Sequence, residues 1–117
     1  MYGNYFKFSE LVKTDTNLDN TVDTDSHLAN LASLWNVLNF LRHELGRPII
    51  INSAFRTEKV NKAVGGAKRS YHMQGRAADI TCELSRLEQL WKIVCSYDSS
   101  YGLREKIKYE TFIHIAI

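Results

Sequence analysis

Apolar residues follow a helical spacing across the first half of the chain. They recur at three- and four-residue steps, at Leu28, Leu31, Leu34, Trp35, Leu38, Leu41 and Leu45. Side chains with this spacing share one face of a helix, so the pattern predicts an amphipathic helix of about five turns. The helix is expected to begin at Asp25 or Ser26, and Gly46 and Pro48 end it.

Three shorter patterns predict further helices. A second amphipathic helix is predicted by apolar residues that the polar stretch 96–102 then ends, namely Leu84, Leu87, Leu90, Trp91 and Val94. The N-terminal arm, residues 6–12, is expected to enter a short helical turn capped by Ser9. Thr57 is expected to cap a short helix that Gly65 and Gly66 end.

Three segments have the composition of strands: residues 49–51, 77–81 and 112–117. The first of them is short enough to be a buried strand. Alternate residues of the last segment share a face, which places Ile113, Ile115 and Ile117 toward the core and Phe112, His114 and Ala116 away from it. The mixed order of strands and helices predicts an α+β fold, in which helices pack on one face of a small antiparallel sheet. Residues 1–117 are expected to form a single domain.

The composition is that of an ordinary globular protein, and it argues against some classes of binding partner. Of the 117 residues, 44% are hydrophobic and 24% charged, which argues against a disordered, coiled-coil or fibrous chain. Fifteen Lys and Arg against thirteen Asp and Glu leave a net charge of +2, and the basic residues are scattered, so no nucleic-acid partner is expected. No apolar run approaches the roughly 20 residues of a membrane span. We expect a monomer without membrane insertion.

The two cysteines, Cys82 and Cys95, are too few for a disulfide framework. A disulfide pair and a metal site are conceivable, but buried thiols are favoured because the N-terminus has no recognisable export signal. The protein is therefore expected to be made in the cytoplasm.

Two polar features of the N-terminal half give no strong indication of a site. Residues 14–26 include an alternation typical of calcium loops, at Asp15, Asn17 and Asp19. However, Asn20 stands where such a loop needs Gly, and Ser26 where it needs a bidentate Glu, so a solvated loop is favoured. His27 and His43 are expected to be ordinary helix residues.

The candidate chemistry lies near the second predicted strand. His72 precedes Asp79 by seven residues, and Gly75 between them permits a tight turn that can bring His72 beside the strand. Asp79 has apolar neighbours and needs a partner, because burying an unpaired carboxylate is costly. If the last strand pairs antiparallel with residues 77–81, His114 can lie next to Asp79. Two imidazoles, one carboxylate and an open position form a catalytic zinc set, although His114 as a hydrogen-bonded strand residue in a metal-free domain is the alternative.

Motifs over nearly the whole chain resemble those of one family. The segment 70–79 carries Ser70, His72, Gly75, Ala77 and Asp79 at the spacing Ser-any-His-any-any-Gly-any-Ala-any-Asp. This resembles the signature of the zinc D-alanyl-D-alanine carboxypeptidase family of peptidoglycan peptidases. Residues 52–56 resemble the family's Ser-Gly-Tyr-Arg turn. Residues 61–66 resemble the Asn and Val-Gly-Gly segment that precedes its metal motif, and residues 112–115 resemble its closing aromatic-aliphatic-His strand. The N-terminal arm, the long helix and the Gly-Arg-Pro segment at 46–48 are similar to those of the compact, phage-associated branch of the family.

The resemblance implies a role for each matching residue. His72, Asp79 and His114 would bind Zn²⁺, and Arg56 would polarise the scissile carbonyl and stabilise the oxyanion. Ser70 would position substrate or Arg56, with a loop-capping hydroxyl as an equal alternative. The family's general base stands three residues before the last His, where this chain has Thr111. Glu110 is the substitute we predict, because an offset of four on a flat strand places it on the face of His114.

The resemblance also implies a fold and a function. The fold is expected to be hedgehog/DD-peptidase-like, and the protein a zinc metallopeptidase that hydrolyses peptidoglycan stem peptides as a D-Ala-D-Ala carboxypeptidase or an endolysin-type endopeptidase. It would act at the cell wall after release by a phage lysis system, or within a virion. The alternative is a non-hydrolytic zinc-binding phage structural or interaction module, because the hedgehog signalling domain carries a related zinc cluster without established peptidase activity.

Overall fold

A computed structural model describes residues 3–117 of the chain. Its helices and strands, in chain order, are α1 (Phe8–Leu11), α2 (Asp25–Leu45), β1 (Ile50–Ser53), α3 (Glu58–Ala63), β2 (Ala77–Thr81), α4 (Leu87–Tyr101), β3 (Glu105–Lys108) and β4 (Ile113–Ala116). Two 3₁₀ turns, Tyr71–Gln74 and Leu84–Arg86, precede β2 and α4. Within residues 3–117, no helix is both long enough and apolar enough to cross a bilayer.

The four strands form one antiparallel sheet in the order β1-β2-β4-β3. The predicted α+β class is therefore confirmed. In the central pair, Ala78 lies opposite Ile115, and Asp79 lies opposite His114. The register shifts between Ile51 and Ser53 on the outer strand β1.

The two faces of the sheet have different environments. One face packs against α2 and α4, and the core between them includes Ile51, Ala78, Ile80, Ile113 and Ile115 from the sheet and Leu34, Leu38, Leu41, Leu90 and Val94 from the helices. Because side chains alternate along a strand, Asp79 and His114 point to the opposite face. The helical layer thus leaves the polar face of the sheet available for a site.

Helix α2 matches its prediction closely. Thr24 caps its start by accepting a hydrogen bond from the backbone N–H of His27, and Gly46 ends it with φ 69°. Only an achiral residue adopts this left-handed conformation without strain, which explains the sharp stop. The predicted apolar stripe is buried except at Trp35, which is partly buried against the core, and at Leu28, which is 48% exposed.

Three predictions of local structure are wrong. Helix α4 continues through the polar stretch to Tyr101, because Tyr97 packs against the core and Gly102 ends the helix instead. Ser9 lies inside α1 rather than capping it, since Lys7 is the capping position. The segment 49–51 is not a buried strand throughout, because Ile50 is 54% exposed.

The loop before α2 is fixed by Asn20. Its Nδ2 donates to the carbonyl oxygens of Val12 (2.8 Å) and Phe55 (2.9 Å), and its Oδ1 accepts from the backbone N–H of Thr57 (2.8 Å). The side chain is buried, so these bonds satisfy the amide group of Asn20 within the protein. Asn20 therefore holds the loop against the segment that leads into α3.

Both cysteines are free thiols. Cys82 is buried as predicted, and burial, with the nearby charge of Glu83, raises the pKa of its thiol. Cys95 is only half-buried.

Candidate metal centre

The 3₁₀ turn Tyr71–Gln74 places His72 beside the sheet. Ser70 begins the turn, and its Oγ accepts a hydrogen bond from the backbone N–H of His72 (3.1 Å). Gly75 ends it with φ 72°, and a Cβ at this position would lie 2.7 Å from the carbonyl oxygen of His27. Glycine is thus required both for the backbone conformation and for the close approach of the turn to α2.

Asp79 and His114 are brought together by strand pairing. They are direct partners in the β2–β4 ladder, and Nδ1 of His114 lies 2.8 Å from Oδ1 of Asp79. Nε2 of His72 lies 3.3 Å from the same oxygen. The ligand atoms of the three residues all lie within 4.8 Å of one another. Among residues 3–117, this is the single convergent group of three or more His, Cys, Asp or Glu side chains.

The donor set and its spacing fit Zn²⁺. Tetrahedral zinc with nitrogen and oxygen ligands at about 2.0–2.1 Å places neighbouring donor atoms about 3.3 Å apart. Two imidazole nitrogens and one carboxylate oxygen at these separations need only small movements to satisfy that geometry. The side chains of His72, His114 and Asp79 are 4%, 15% and 16% exposed, so the group is sheltered without being closed.

Each of the three side chains is also held by a partner outside the group. Nδ1 of His72 donates to the carbonyl oxygen of Ala54 (2.6 Å), and Nε2 of His114 lies 2.8 Å from Oε1 of Glu105. The other carboxylate oxygen of Asp79 accepts a hydrogen bond from Arg56 (3.3 Å). Such outer hydrogen bonds orient ligands in metalloproteins, and here they leave His72 Nε2, Asp79 Oδ1 and His114 Nδ1 facing one point.

Burial and the interactions between the charged side chains of the site shift their pKa values in opposite directions. Burial opposes ionisation of Asp79, but hydrogen bonds and charge interactions with His114 and His72 lower the pKa of its carboxyl well below the usual range. The hydrogen bond to Asp79 raises the pKa of His114, burial opposes this, and the hydrogen bond to Glu105 raises it further. Burial lowers the pKa of Arg56, while the charge of Asp79 raises it.

Arg56 is held by a polar cage. Its Nε donates to Ser53 Oγ (3.0 Å), and another guanidinium nitrogen donates to Asn61 Oδ1 (3.3 Å). Asn61 is buried and is fixed in turn by donating from Nδ2 to the carbonyl oxygen of Ala67 (2.8 Å). A Cβ on Gly66 would lie only 2.0 Å from Asn61 Oδ1, so glycine is needed there for the cage to close.

The group formed by His72, Asp79 and His114 lines an open cleft of about 290 Å³ on the polar face of the sheet. The residues that line the cleft around the three candidate ligands include Arg56, Arg69, Ser70, Tyr71, Glu105, Ile107, Tyr109 and Phe112. Tyr109 and Phe112 stack with ring centroids 4.5 Å apart and form an aromatic wall. The cleft therefore combines basic groups with an apolar side.

Glu110 does not occupy the predicted position. Strand β4 begins only at Ile113, and Tyr109 N–H donates to the carbonyl oxygen of Phe112 (2.8 Å), which makes Glu110 and Thr111 the tip of a hairpin. The prediction that Glu110 shares a strand face with His114 is therefore wrong. Glu110 is exposed, and the carboxylate that lines the cleft beside Asp79 is Glu105.

Two contributors to the site were missed from the sequence. Glu105 lies on β3, a strand that was not predicted, because Glu-Lys-Ile-Lys has one apolar residue and no clear alternation. The carbonyl of Ala54 is a backbone group, which no side-chain pattern reveals.

A convergent His-Asp-His group in a cleft on an antiparallel sheet defines the chain as an α+β protein with a candidate mononuclear metal centre. The sequence model of the peptidase M15 family matches residues 4–116, so the chain belongs to that family. This confirms the predicted resemblance. The chain is also similar to the zinc D-Ala-D-Ala carboxypeptidase of Streptomyces albus G, with 45% identity over 51 residues. That match covers 43% of this chain but only 20% of the length of the relative.

Proposed function

We propose that this protein is a zinc-dependent peptidase that hydrolyses peptide bonds of bacterial peptidoglycan. The observation that carries the proposal is the convergence of His72 Nε2, Asp79 Oδ1 and His114 Nδ1 in an open cleft. Membership of the peptidase M15 family and the similarity to a zinc D-Ala-D-Ala carboxypeptidase support the reaction, the metal and the substrate class.

His72, Asp79 and His114 are the proposed zinc ligands. Zinc in a three-ligand site polarises a carbonyl group and lowers the pKa of water to roughly 7, which supplies a nucleophile at neutral pH. The protein contributes the geometry. Ala54 and Arg56 hold the imidazole of His72 and the carboxylate of Asp79 in place by hydrogen bonds.

Arg56 is the proposed group for the developing negative charge on the substrate carbonyl oxygen. Its guanidinium lines the cleft and is preorganised by Ser53, Asn61 and Asp79, so little reorganisation is needed when charge develops. Ser70 lines the same cleft and remains a candidate for substrate binding, although the hydrogen bond it makes is the capping bond to His72.

The role of Glu110 as general base stays a prediction that rests on the sequence alone. Loss of a general base typically lowers the rate by about 10²–10⁴-fold. Glu110→Gln tests the role: a change in kcat of less than about threefold, which the exposed position of Glu110 at a hairpin tip favours, would remove Glu110 from the mechanism. A fall of about 10²-fold, in protein that keeps its zinc, would instead establish Glu110 as the base.

The proposed substrates are the stem peptides of the cell wall. The wall formed by Tyr109 and Phe112 suits the apolar part of a peptide, and Arg56 and Arg69 suit its carbonyl and carboxylate groups. Within this class we propose either removal of a terminal D-Ala or cleavage of a cross-link. A phage endolysin acting at the wall after release from the host cytoplasm is the setting that the sequence resemblance favours.

The test is hydrolysis by the zinc-loaded protein. Purified protein is incubated with muropeptides that end in D-Ala-D-Ala and, separately, with cross-linked muropeptide dimers, and the products are identified by mass spectrometry. We expect one of the two substrates to be cleaved and Asp79→Asn to cleave neither. Release of no new amine from either substrate by stoichiometrically zinc-loaded wild-type protein would contradict the proposal.

A further inference from the structure

Glu105 reaches the candidate metal centre from the edge of the sheet. It lies on β3 opposite Ala116, while Ile107 lies opposite His114, so Glu105 and His114 are diagonal neighbours on the same face. Oε1 of Glu105 lies 2.8 Å from Nε2 of His114. The Glu105 side chain is 41% exposed and that of His114 is 15% exposed, so the carboxylate closes the outer side of the imidazole.

The direction of this hydrogen bond bears on which nitrogen of the His114 imidazole is available to bind a metal ion. A neutral imidazole has one N–H and one lone pair, and a carboxylate can only accept. When Nδ1 of His114 and Oδ1 of Asp79 are both directed at a bound metal ion, Nδ1 supplies its lone pair to the ion. The single proton of the neutral ring then lies on Nε2, where Glu105 accepts it in a hydrogen bond. Without an acceptor at this position, either nitrogen could carry the proton.

The two imidazoles of the site differ in the charge of their outer partners. His72 donates to a neutral backbone carbonyl, that of Ala54, whereas His114 has a carboxylate. A carboxylate makes an imidazole a stronger ligand than a carbonyl does, because its charge stabilises electron donation from the ring. Glu105 thus offers both orientation and charge, and the backbone offers orientation alone.

We propose that Glu105 is a positioning residue for the metal centre, which fixes the Nδ1 lone pair of His114 toward the ion and strengthens this ligand. The inference rests on the proposed zinc site but not on the peptidase reaction. It accounts for a charged residue on β3 whose side chain lines the cleft.

Strand β3 is anchored in a way that suits this role. Asp98 of α4 accepts hydrogen bonds from the backbone N–H of Leu103 (2.6 Å) and from Lys106 Nζ (2.7 Å), and Arg104 N–H donates to the carbonyl oxygen of Ala116 (2.8 Å). Glu105 therefore extends from a backbone that is fixed on both sides.

Zinc affinity tests the proposal without reference to catalysis. Dissociation constants are measured by competition with a chelating indicator for wild type, Glu105→Gln, Glu105→Asp and the matched control Glu44→Gln, which makes the same chemical change on the exposed surface of α2. Loss of such an outer partner typically weakens metal binding about 10–100-fold. We expect that loss for Glu105→Gln, a smaller one for Glu105→Asp, and none for the control. Wild-type affinity in Glu105→Gln would overturn the proposal.

The imidazole nitrogens give a second, independent readout. In zinc-loaded wild-type protein, we expect ¹⁵N chemical shifts that assign the His114 proton to Nε2 and the metal to Nδ1. The reverse assignment would overturn the proposal even if Glu105→Gln failed to fold. An unchanged zinc affinity in Glu105→Gln refutes this inference alone, whereas a zinc-loaded wild type that cleaves no muropeptide refutes the peptidase proposal alone.

Discussion

The backbone carbonyl of Ala54 accepts a 2.6 Å hydrogen bond from Nδ1 of His72, and Nε2 of the same ring lies 3.3 Å from Oδ1 of Asp79. One imidazole therefore joins the segment after β1 to the central strand β2. The ring is fixed from its buried side, and its other nitrogen is left for a ligand.

Replacement of His72 is expected to abolish zinc binding. His72→Ala removes one of three donors, and the remaining two do not hold zinc at the affinity of a three-ligand site. We expect the zinc content, measured by elemental analysis after gel filtration, to fall from about one ion per chain to less than about 0.1. His43→Ala, an exposed histidine of α2, is the control and should keep its zinc. Retention of zinc by His72→Ala would favour a site elsewhere.

The fork shape of Arg56 is expected to matter as much as its charge. Arg56→Lys keeps the charge but cannot bond Ser53, Asn61 and Asp79 together. We expect kcat for muropeptide hydrolysis to fall about 10²–10³-fold, the usual loss for a group that stabilises an oxyanion, with a much smaller change in KM. Arg47→Lys, on the exposed turn after α2, should leave both constants unchanged. A change in KM alone would make Arg56 a binding group only.

A methyl group at Gly66 is expected to disturb Arg56 through Asn61. Because the added Cβ would overlap Asn61 Oδ1, Gly66→Ala must displace the amide that holds the guanidinium. Misplacement of a catalytic group by about 1 Å can cost about 10²-fold in rate, and we expect kcat to fall by about 10–100-fold.

The double variant separates this cause from a general loss of stability. In an Asn61→Ala background the overlap with the amide is gone, and only a 3.1 Å approach of the added Cβ to a guanidinium nitrogen of Arg56 remains. Adding Gly66→Ala should therefore cause a much smaller further loss of activity than it causes alone. Independent, multiplying effects of the two substitutions would show that Gly66 does not act through Asn61.

The contact between Asp98 and Lys106 is expected to make stability depend on pH. The hydrogen bond from Lys106, with that from Leu103, lowers the pKa of Asp98, so its contribution is present above the unfolded pKa of about 3.9 and is lost as pH falls through the lower folded value. The bond raises the pKa of Lys106, so that contribution is lost only as pH rises beyond about 10.4.

Thermal unfolding of Asp98→Asn across this range checks the sign. The difference in Tm from wild type should be greatest at neutral pH and shrink near pH 2 and pH 11. Asp15→Asn, at an exposed loop position, should show no such profile. A difference that is constant with pH would show that the Asp98 charge does not contribute.

Hydrophobic periodicity predicted the parts of the fold that bury an apolar face. Helix α2 and strand β4 follow directly from it, as does the facing of Ile113 and Ile115 toward the core, whereas β2 followed from its composition. Strand β3 and the end of α4 do not, because polar residues form them. Tertiary contacts hold these segments, through pairing with β4 and through the packing of Tyr97 against Phe40, whose ring centroids are 5.1 Å apart.

The residues of the site likewise fall into those that local sequence predicts and those that depend on tertiary structure. The spacing of His72, Gly75 and Asp79 is a local property, and antiparallel pairing with the last strand was enough to bring in His114. Glu105 and the carbonyl of Ala54 depend on registers and turns that no local pattern contains. The predicted position of Glu110 was wrong for the same reason. It assumed an extended strand, whereas Glu110 lies at the tip of a hairpin.

Strand β3 is an outer strand of the sheet, and two of its four residues are lysines. Charged side chains on an outer strand discourage pairing with another chain. Lys106 and Lys108 reach back to Asp98 and Glu88 of α4, at 2.7 and 3.9 Å. The edge strand that carries Glu105 is therefore also protected from pairing with a second copy of the chain. Substituting these two lysines with valine should promote aggregation before it affects zinc binding.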